Sequence, residues 1–395
     1  MTVKTVLRRD YLKRLRDNKD DTRFVKVITG IRRCGKSTLM AQFADELRSC
    51  GVPDDRIVQI NLESIAFLGL TDGKALAYHL NSVVPKERTY VFIDEIQRVE
   101  HWEVAVNSLM VDRDADIYVT GSNAFLLSGE LATYLTGRYV RIDMFPLSFR
   151  EYCELHGDDK HAMFNRYMKN GSFPMIDPKW DEATLHDHII GLYSTIVLND
   201  VMTRGGIRDG EQLERVVRFL FDNVGNPVST NNISEMLKPL SRQTVERFLK
   251  LLTDSYIMYE ATPYDLRGKR ILSSGSKYYV ADTGMRNAVL SFVSEDYGRL
   301  MENIVYLELR RRGCSVLVGR CHGMEIDFVA RRGDAVEYIQ VTYSMLDEKH
   351  ADRELRSLRA AGDSRPKTVI SADRLTADFS DGIKHTNIVD WLLDA

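Results

Sequence analysis

The sequence predicts an α/β fold in three parts: a parallel-sheet domain built on a phosphate-binding loop, a winged helix-turn-helix, and a second α/β domain. Three observations predict it. Gly30-Ile31-Arg32-Arg33-Cys34-Gly35-Lys36-Ser37 fits the P-loop pattern G-x-x-x-x-G-K-[ST]. Apolar runs alternate with helical patterns as far as residue 143. A block of three short helices and a hairpin follows within residues 205–294.

The elements follow in order. Residues 1–20 read as a short basic amphipathic helix. Strands are expected at 24–29, 57–61, 90–94, 116–120 and 139–143, with helices between them. Three of these strands are near-continuous apolar runs, the pattern of strands covered on both faces. After the loop, Leu39, Phe43 and Leu47 recur at helical spacing, and Gly51 with Pro53 ends that helix. A P-loop must follow a strand and open a helix, and this one does. The parts are expected at 1–145 (P-loop ATPase core), 146–204 (helical lid or linker), 205–294 (winged helix-turn-helix) and 295–395 (second α/β domain). Phe145-Pro146-Leu147-Ser148 reads as the exit from the first part. Gly171-Ser172-Phe173-Pro174 reads as a break, and Gly205-Gly206 as a hinge.

Each residue of the loop has a chemical task. Gly30 and Gly35 allow φ values that a Cβ would hinder. The backbone of Gly30, Ile31, Arg32, Arg33, Cys34, Gly35, Lys36, Ser37 and Thr38 can then surround phosphates as an anion nest. Lys36 brings a charge to the β- and γ-phosphates, and the Ser37 hydroxyl is a magnesium ligand. The helix start adds its positive dipole end. Downstream, Tyr90-Val91-Phe92-Ile93 runs into Asp94-Glu95. Asp94 is expected in the magnesium shell, and Glu95 is the candidate to polarise an attacking water. Ser122 and Asn123, at the tip of the strand 116–120, could sense the γ-phosphate or orient that water. Arg138 precedes the last strand and could act as a finger on a neighbouring subunit's nucleotide. These residues predict binding of a nucleoside triphosphate with Mg2+, and its hydrolysis.

In the second part, Leu213, Val216, Val217, Leu220 and Phe221 form one apolar stripe, and Ser241 caps the third helix. Arg242, Gln243, Arg247 and Lys250 on that helix, with Arg267, Lys269 and Arg270 at the hairpin tip, are DNA-binding candidates. Residues 238–277 hold eight Lys and Arg against four Asp and Glu, a local excess in a chain of net charge −3. In the third part, Glu302 on a helix, Asp327 before a strand, and the strand 338–342 follow the order of the PD-(D/E)XK nuclease core, which they resemble. Gln340 stands where that core has a Glu, and Thr342 where it has a Lys. An amide is a poor magnesium ligand and threonine carries no charge, so an inactive nuclease fold is expected. Arg310, Arg311, Arg312, Arg320, Arg331 and Arg332 could make it a DNA-binding surface.

With these motifs in hand, the chain resembles the archaeal-type predicted ATPases, an AAA+-like group with a winged helix and a C-terminal nuclease-like domain of unknown function. The matching stretches are Val27 to Thr38, Phe92-Ile93-Asp94-Glu95-Ile96-Gln97, Thr120-Gly121-Ser122, Leu135-Thr136-Gly137-Arg138-Tyr139, Phe145 to Glu151, and Tyr278 to Arg286. The resemblance implies an AAA+-type sheet, a restriction-endonuclease-like third part, ATP as the nucleotide, and Arg138 as a trans-acting arginine. It also implies self-association, ring-like (a hexamer, for example) or linear.

Bulk properties set bounds. A net charge of −3 gives no global field toward DNA, so any nucleic-acid surface is local. The five cysteines form no C-x-x-C pair, and the start lacks an apolar signal core. No apolar run reaches the roughly 20 residues that span a bilayer. A cytoplasmic protein without membrane contact is expected. Three uses of the nucleotide site remain open: a motor or remodeller on duplex or branched DNA, a signalling or defence switch acting through protein partners, and an ATP-dependent nuclease, which Gln340 and Thr342 disfavour.

Overall fold

The computed structural model describes residues 5–124, 137–177, 179–272, 275–292, 296–379 and 381–394. The chain divides into two units, Met1–Pro146 with Asp254–Tyr256, and Leu147–Thr253 with Ile257–Ala395. Leu135 and Thr136, part of one matching stretch, lie outside the described residues.

The first unit runs α1 (Arg9–Asp17), β1 (Val25–Thr29), α2 (Lys36–Ser49), β2 (Ile57–Asn61), α3 (Gly73–Val83), β3 (Thr89–Asp94), α4 (Trp102–Asp112), β4 (Ala115–Gly121) and β5 (Tyr139–Asp143). The strands pair in parallel in the order β2-β3-β4-β1-β5. β1, β3 and β4 are buried at every position, because helices cover both faces of the sheet. On one face Val27, Val91, Ile93 and Val119 pack with Leu76, Leu80, Val106 and Leu109 of α3 and α4. On the other, Phe43 of α2 meets Phe92 and Tyr118, whose rings stack 4.9 Å apart. Burying each such ring contributes roughly 1.5–3 kcal/mol.

One departure from the apolar pattern is Lys26 in β1, which forms a fully buried ion pair with Asp116 in β4. Lys26 also donates to the Asp21 carbonyl, and Asp116 accepts from the Asp20 N–H and the Tyr118 hydroxyl. This saturation is what makes a buried pair tolerable.

The strand order fixes where the loops meet. β4 lies between β3 and β1, with Thr29 level with Gly121 and Ile93 level with Val119. The carboxyl tips of β1, β4 and β3 therefore end side by side, the usual place for a ligand in an open α/β sheet.

In the second unit come α5 (Phe149–His156), α6 (Lys160–Asn170), α7 (Glu182–Thr195), a π-helical stretch (Ile196–Thr203) and α8 (Gly210–Asp222). A capping box of Ser148 and Glu151 starts α5, which explains the Ser148-Phe149-Arg150-Glu151 run. Next are β6 (Pro227–Val228), α9 (Thr230–Met236), α10 (Arg242–Asp254), β7 (Met258–Ala261), β8 (Pro263–Asp265), β9 (Arg270–Ile271), β10 (Ser276–Val280) and α11 (Thr283–Leu290). The chain closes with α12 (Tyr297–Arg311), β11 (Ser315–Cys321), β12 (Met324–Arg332), β13 (Ala335–Val341), α13 (Glu348–Ala360), β14 (Lys367–Ser371), β15 (Lys384–Asn387) and α14 (Ile388–Leu393). Strands β6-β10-β7 make a small antiparallel sheet. A mixed seven-stranded sheet has the order β15-β14-β13-β12-β11-β8-β9.

The Tyr278 to Arg286 motif acts as architecture. Asp282 caps α11 through the Met285 N–H and accepts from both the backbone and the hydroxyl of Ser172. A Cβ on Gly284 would lie 2.1 Å from the Asn170 carbonyl, so only glycine allows this approach. Asn287 donates to the Met168 and Lys169 carbonyls, and Asn303 pairs with both backbone groups of Val280. Burial pushes the Asp282 carboxyl up, against the pull of its hydrogen bonds.

Two groups of basic residues are engaged by the chain itself. The hairpin that carries Arg267, Lys269 and Arg270 is joined to the large sheet: β7 and β10 belong to the small sheet, while β8 runs parallel to β11 and β9 forms the outer edge of the large one. Pairing with β11 through Val318, Gly319 and Arg320 draws the tip onto that sheet. The arginines of the third part are also largely committed internally. Glu308 takes Arg311 and Arg312, and Arg312 stacks 4.0 Å over Trp391. Arg320 pairs with Glu325, Arg331 lies over Tyr264, and Arg310 donates to the Tyr306 hydroxyl.

Among the described residues, no helix is long and apolar enough to cross a membrane.

Candidate functional site

The loop after β1 turns on glycine. Gly30 has φ +153°, and a Cβ there would lie 2.0 Å from the Met144 carbonyl. Gly35 caps α2 at φ 106°, and Arg33 between them is also left-handed at φ 67°. Lys36 begins α2 and is buried, and its Nζ donates to the Gly30 and Ile31 carbonyls at 3.0 and 3.2 Å. Cys34 of the loop is buried, which pushes its thiol up. Ser37 and Thr38 face solvent on the first helical turn. Arg32 lies 3.6 Å from Glu63.

Asp94 ends β3 and accepts from the Thr120 hydroxyl, which in turn accepts from the Glu95 N–H at 2.9 Å. Thr120 thus locks the two carboxylate-bearing residues to the tip of β4. Glu95 is left-handed at φ 56°, a conformation that costs a non-glycine residue on the order of 1 kcal/mol. Its carboxylate lies 3.9 Å from Lys36 Nζ and accepts from the Gln97 amide. Gln97 also donates to Ser122 Oγ at 3.2 Å. Ser122 and Asn123 are both buried at the tip of β4.

The structure thus brings Lys36, Asp94, Glu95, Ser122 and Asn123 together at one edge of the sheet. A lysine charge, loop amides, a hydroxyl and a carboxylate form a donor set suited to a polyphosphate with a hard cation. Gln97 Oε1 and Asn123 Oδ1 are buried with no partner among the described residues, as expected of a site that a ligand or water completes.

Arg138 does not join this group. Its carbonyl accepts from Val25 at the opposite end of β1, and its guanidinium reaches Asn107 of α4 at 3.4 Å. It stands about one strand length, on the order of 15 Å, from the loop of its own chain.

Sequence reasoning missed Arg8 and Gln97. Arg8 is 2% exposed and donates to the Cys34 carbonyl at 3.0 Å and the Phe145 carbonyl at 2.8 Å, which clamps the loop to the exit of β5. Nothing in its local pattern distinguished it from the other basic residues of that segment. Gln97 lay within a quoted motif, and its polar side chain among Ile96 and Val99 was the available signal.

Of the DNA-binding candidates, Arg242 pairs with Glu246 and Arg247 donates to the Gly205 carbonyl, whereas Gln243 and Lys250 are exposed on α10. At the hairpin tip, Arg270 lies 3.8 Å from Asp265, and Arg267 and Lys269 are exposed.

The Glu302 constellation has an occupant the sequence did not reveal. Lys277 Nζ lies 2.8 Å from Glu302, 2.6 Å from Glu325 and 3.4 Å from Asp327. Burial alone would depress Lys277, but Glu302, Asp327 and Glu325 override it and hold the ammonium well above its ordinary value. Burial, with Glu302 adding to it, pushes Asp327 up to about 8 against the opposing pull of Lys277. Gln340 accepts from the Asp327 N–H and donates to Glu354, and Thr342 pairs with His350. Among the described residues, no group of three or more His, Cys, Asp or Glu is arranged to hold a metal ion.

Residues 10–153 match the family described as an AAA domain, and residues 161–296 match a domain of unknown function (DUF8612). An uncharacterized protein of Haemophilus influenzae is 38% identical over all of this chain and all of its own. The uncharacterized protein MJ1544 of Methanocaldococcus jannaschii is 31% identical over 90% of this chain and 81% of its own. Among solved structures, that of the Aeropyrum pernix Orc1 protein in complex with DNA is similar over 73% of this chain and 93% of that one, at 11% identity and a TM-score of 0.31. Residues 10–153 match the AAA-domain family, and the chain belongs to one family with the Haemophilus and Methanocaldococcus proteins.

Proposed function

We propose that the protein binds ATP with magnesium and hydrolyses it. The observation that carries this reading is the convergence of Lys36, Asp94, Glu95 and Ser122 at the tips of three adjacent parallel strands. Lys36 would leave the Gly30 and Ile31 carbonyls for the β- and γ-phosphates, while the amides of residues 30–38 cradle them. Ser37 and Asp94 would hold the magnesium ion, which when bound neutralises charge on the phosphate oxygens. Glu95 would draw the proton from the attacking water, and Ser122 and Asn123 would face the γ-phosphate. Arg138 is too far from its own loop to act there, so its role would be on the nucleotide of a second copy in a homo-oligomer.

We further propose that hydrolysis drives the handling of duplex or branched DNA. Helix α8, strand β6, helices α9 and α10, and strands β7 and β10 follow the order of a winged helix, with Gln243 and Lys250 exposed on its third helix. Helix α12, strands β11 to β13, helix α13 and strand β14 follow the order of a nuclease-like core, in which Lys277 would keep the acidic cluster from cutting DNA. The second reading, a switch acting on protein partners, is favoured by the internal pairing of Arg242, Arg247, Arg311 and Arg312.

Turnover with a panel of DNA forms separates the two. The motor reading expects duplex or four-way DNA to raise ATP turnover. It also expects Lys250→Ala with Lys269→Ala to lower the salt slope of DNA binding by roughly two phosphates' worth, about 0.9 each. DNA that alters neither turnover nor affinity would leave the switch.

A further inference from the structure

Two side chains hold Glu95 from two sides. Lys36 Nζ lies 3.9 Å from one carboxylate oxygen, and the Gln97 amide donates to the other. A carboxylate can only accept, so this contact orients the Gln97 side chain: its NH2 faces Glu95 and its carbonyl faces away. The same NH2 also donates to Ser122 Oγ at 3.2 Å. Gln97 sits on a one-turn 3-10 helix, Ile96–Arg98, that directly follows the left-handed turn at Glu95. Its amide bridges the tips of β3 and β4 across the site. The remaining Gln97 oxygen is buried and has no donor among the described residues.

One property follows from this geometry. Among the described residues, Lys36 and Gln97 are the side chains in contact with the Glu95 carboxylate. When Lys36 turns to a phosphate, Gln97 is the side chain that still holds it.

We propose that Gln97 is a positioning residue for Glu95, aiming its carboxylate at the attacking water and coupling its orientation to Ser122. The proposal rests on the hydrolytic reading of this site. It makes the pair Glu95 and Gln97 a single functional unit, with Lys36 freed to serve the nucleotide.

The test uses the full chain with Gln97→Ala, Gln97→Glu, Glu95→Gln and the double variant Glu95→Gln/Gln97→Ala. Nucleotide affinity, kcat and the thermal midpoint are measured for each. Gln97→Ala is expected to keep nucleotide affinity and thermal midpoint while kcat falls on the order of 100-fold, the cost of a misplaced catalytic group. Gln97→Glu has the same shape but no donor, and places a like charge against Glu95, so it should be at least as impaired as the alanine variant. A residue that acts only by filling space would tolerate it. In the Glu95→Gln background, Gln97→Ala should cost nothing further, because its effect passes through Glu95. Gln97→Ala with kcat within about threefold of wild type, or losses that simply multiply in the double variant, would overturn the proposal while leaving the hydrolytic reading intact. A wild-type chain that binds nucleotide with magnesium but never turns it over would overturn both.

Discussion

Glu95→Gln is expected to lower ATP turnover by roughly 10²–10⁴-fold while magnesium-dependent nucleotide binding survives. The substitution keeps the shape of the side chain and its place after β3, and removes its charge and with it the ability to accept a proton. Asp94 and Thr120, which fix the backbone at this point, are untouched. The left-handed backbone at residue 95 is available to glutamine at the same modest cost. Steady-state turnover paired with a nucleotide-retention assay checks this: the variant should hold ATP and fail to release phosphate. If it turns ATP over within about threefold of wild type, Glu95 is not the base.

Lys277→Met is expected to destabilise the second unit by roughly 3–5 kcal/mol, because it removes the buried ammonium shared by Glu302, Glu325 and Asp327, of which Glu325 alone keeps a second cation, Arg320, among the described residues. For a unit of this size, that is a fall in thermal midpoint on the order of 10 °C. Adding Glu302→Gln should recover part of the loss, since one of the repelling charges is then gone. The cluster also predicts a pH trend. Asp327 titrates at about 8 in the folded chain and at about 4 when unfolded, so between these values the folded chain holds a proton that the unfolded chain has released. Its contribution to stability is full below about pH 4, falls as pH rises, and is lost above about pH 8. Thermal scans of the wild-type chain from pH 5 to pH 9 report it. A Lys277→Met chain that melts with wild type across that range would remove the ionic pin.

The parallel sheet was legible because its signal is local and redundant. Strands covered on both faces must be apolar along their length, and Tyr90 to Ile93 and Ile117 to Val119 obey that rule. The P-loop was legible because glycine is required where the chain passes the Met144 carbonyl. What the sequence hid were contacts between residues far apart in the chain. Arg8 reaches Phe145 across 137 positions, and Lys26 finds Asp116 across 90. Neither pairing leaves a mark on local periodicity. Lys277 is the sharper case. The nuclease-like order of Glu302 and Asp327 could be seen, but the lysine between them comes from an earlier strand, β10. The one available hint was a lysine in an otherwise apolar run, Lys277-Tyr278-Tyr279-Val280.

The basic residues show the opposite failure. Counting charges over 238–277 marked a candidate DNA surface, yet a count does not reveal which charges are already paired. Arg242 and Arg247 are held by Glu246 and the Gly205 carbonyl, and the hairpin tip is bound into a sheet edge. Net charge per segment reports a field; Gln243, Lys250, Arg267 and Lys269 are exposed, and Arg242, Arg247 and Arg270 are exposed while engaged with neighbours of their own chain.

The central claim, that the amides around Lys36 hold a triphosphate whose metal is anchored by Ser37 and Asp94, is tested most directly by calorimetric titration of the full chain with a non-hydrolysable ATP analogue. The account predicts binding in roughly the 1 μM–1 mM range with magnesium, much weaker binding without it, and a loss of at least about tenfold in Lys36→Ala. A wild-type chain that binds no nucleoside triphosphate in a magnesium-dependent way, or a Lys36→Ala chain that binds as well as wild type, would contradict it.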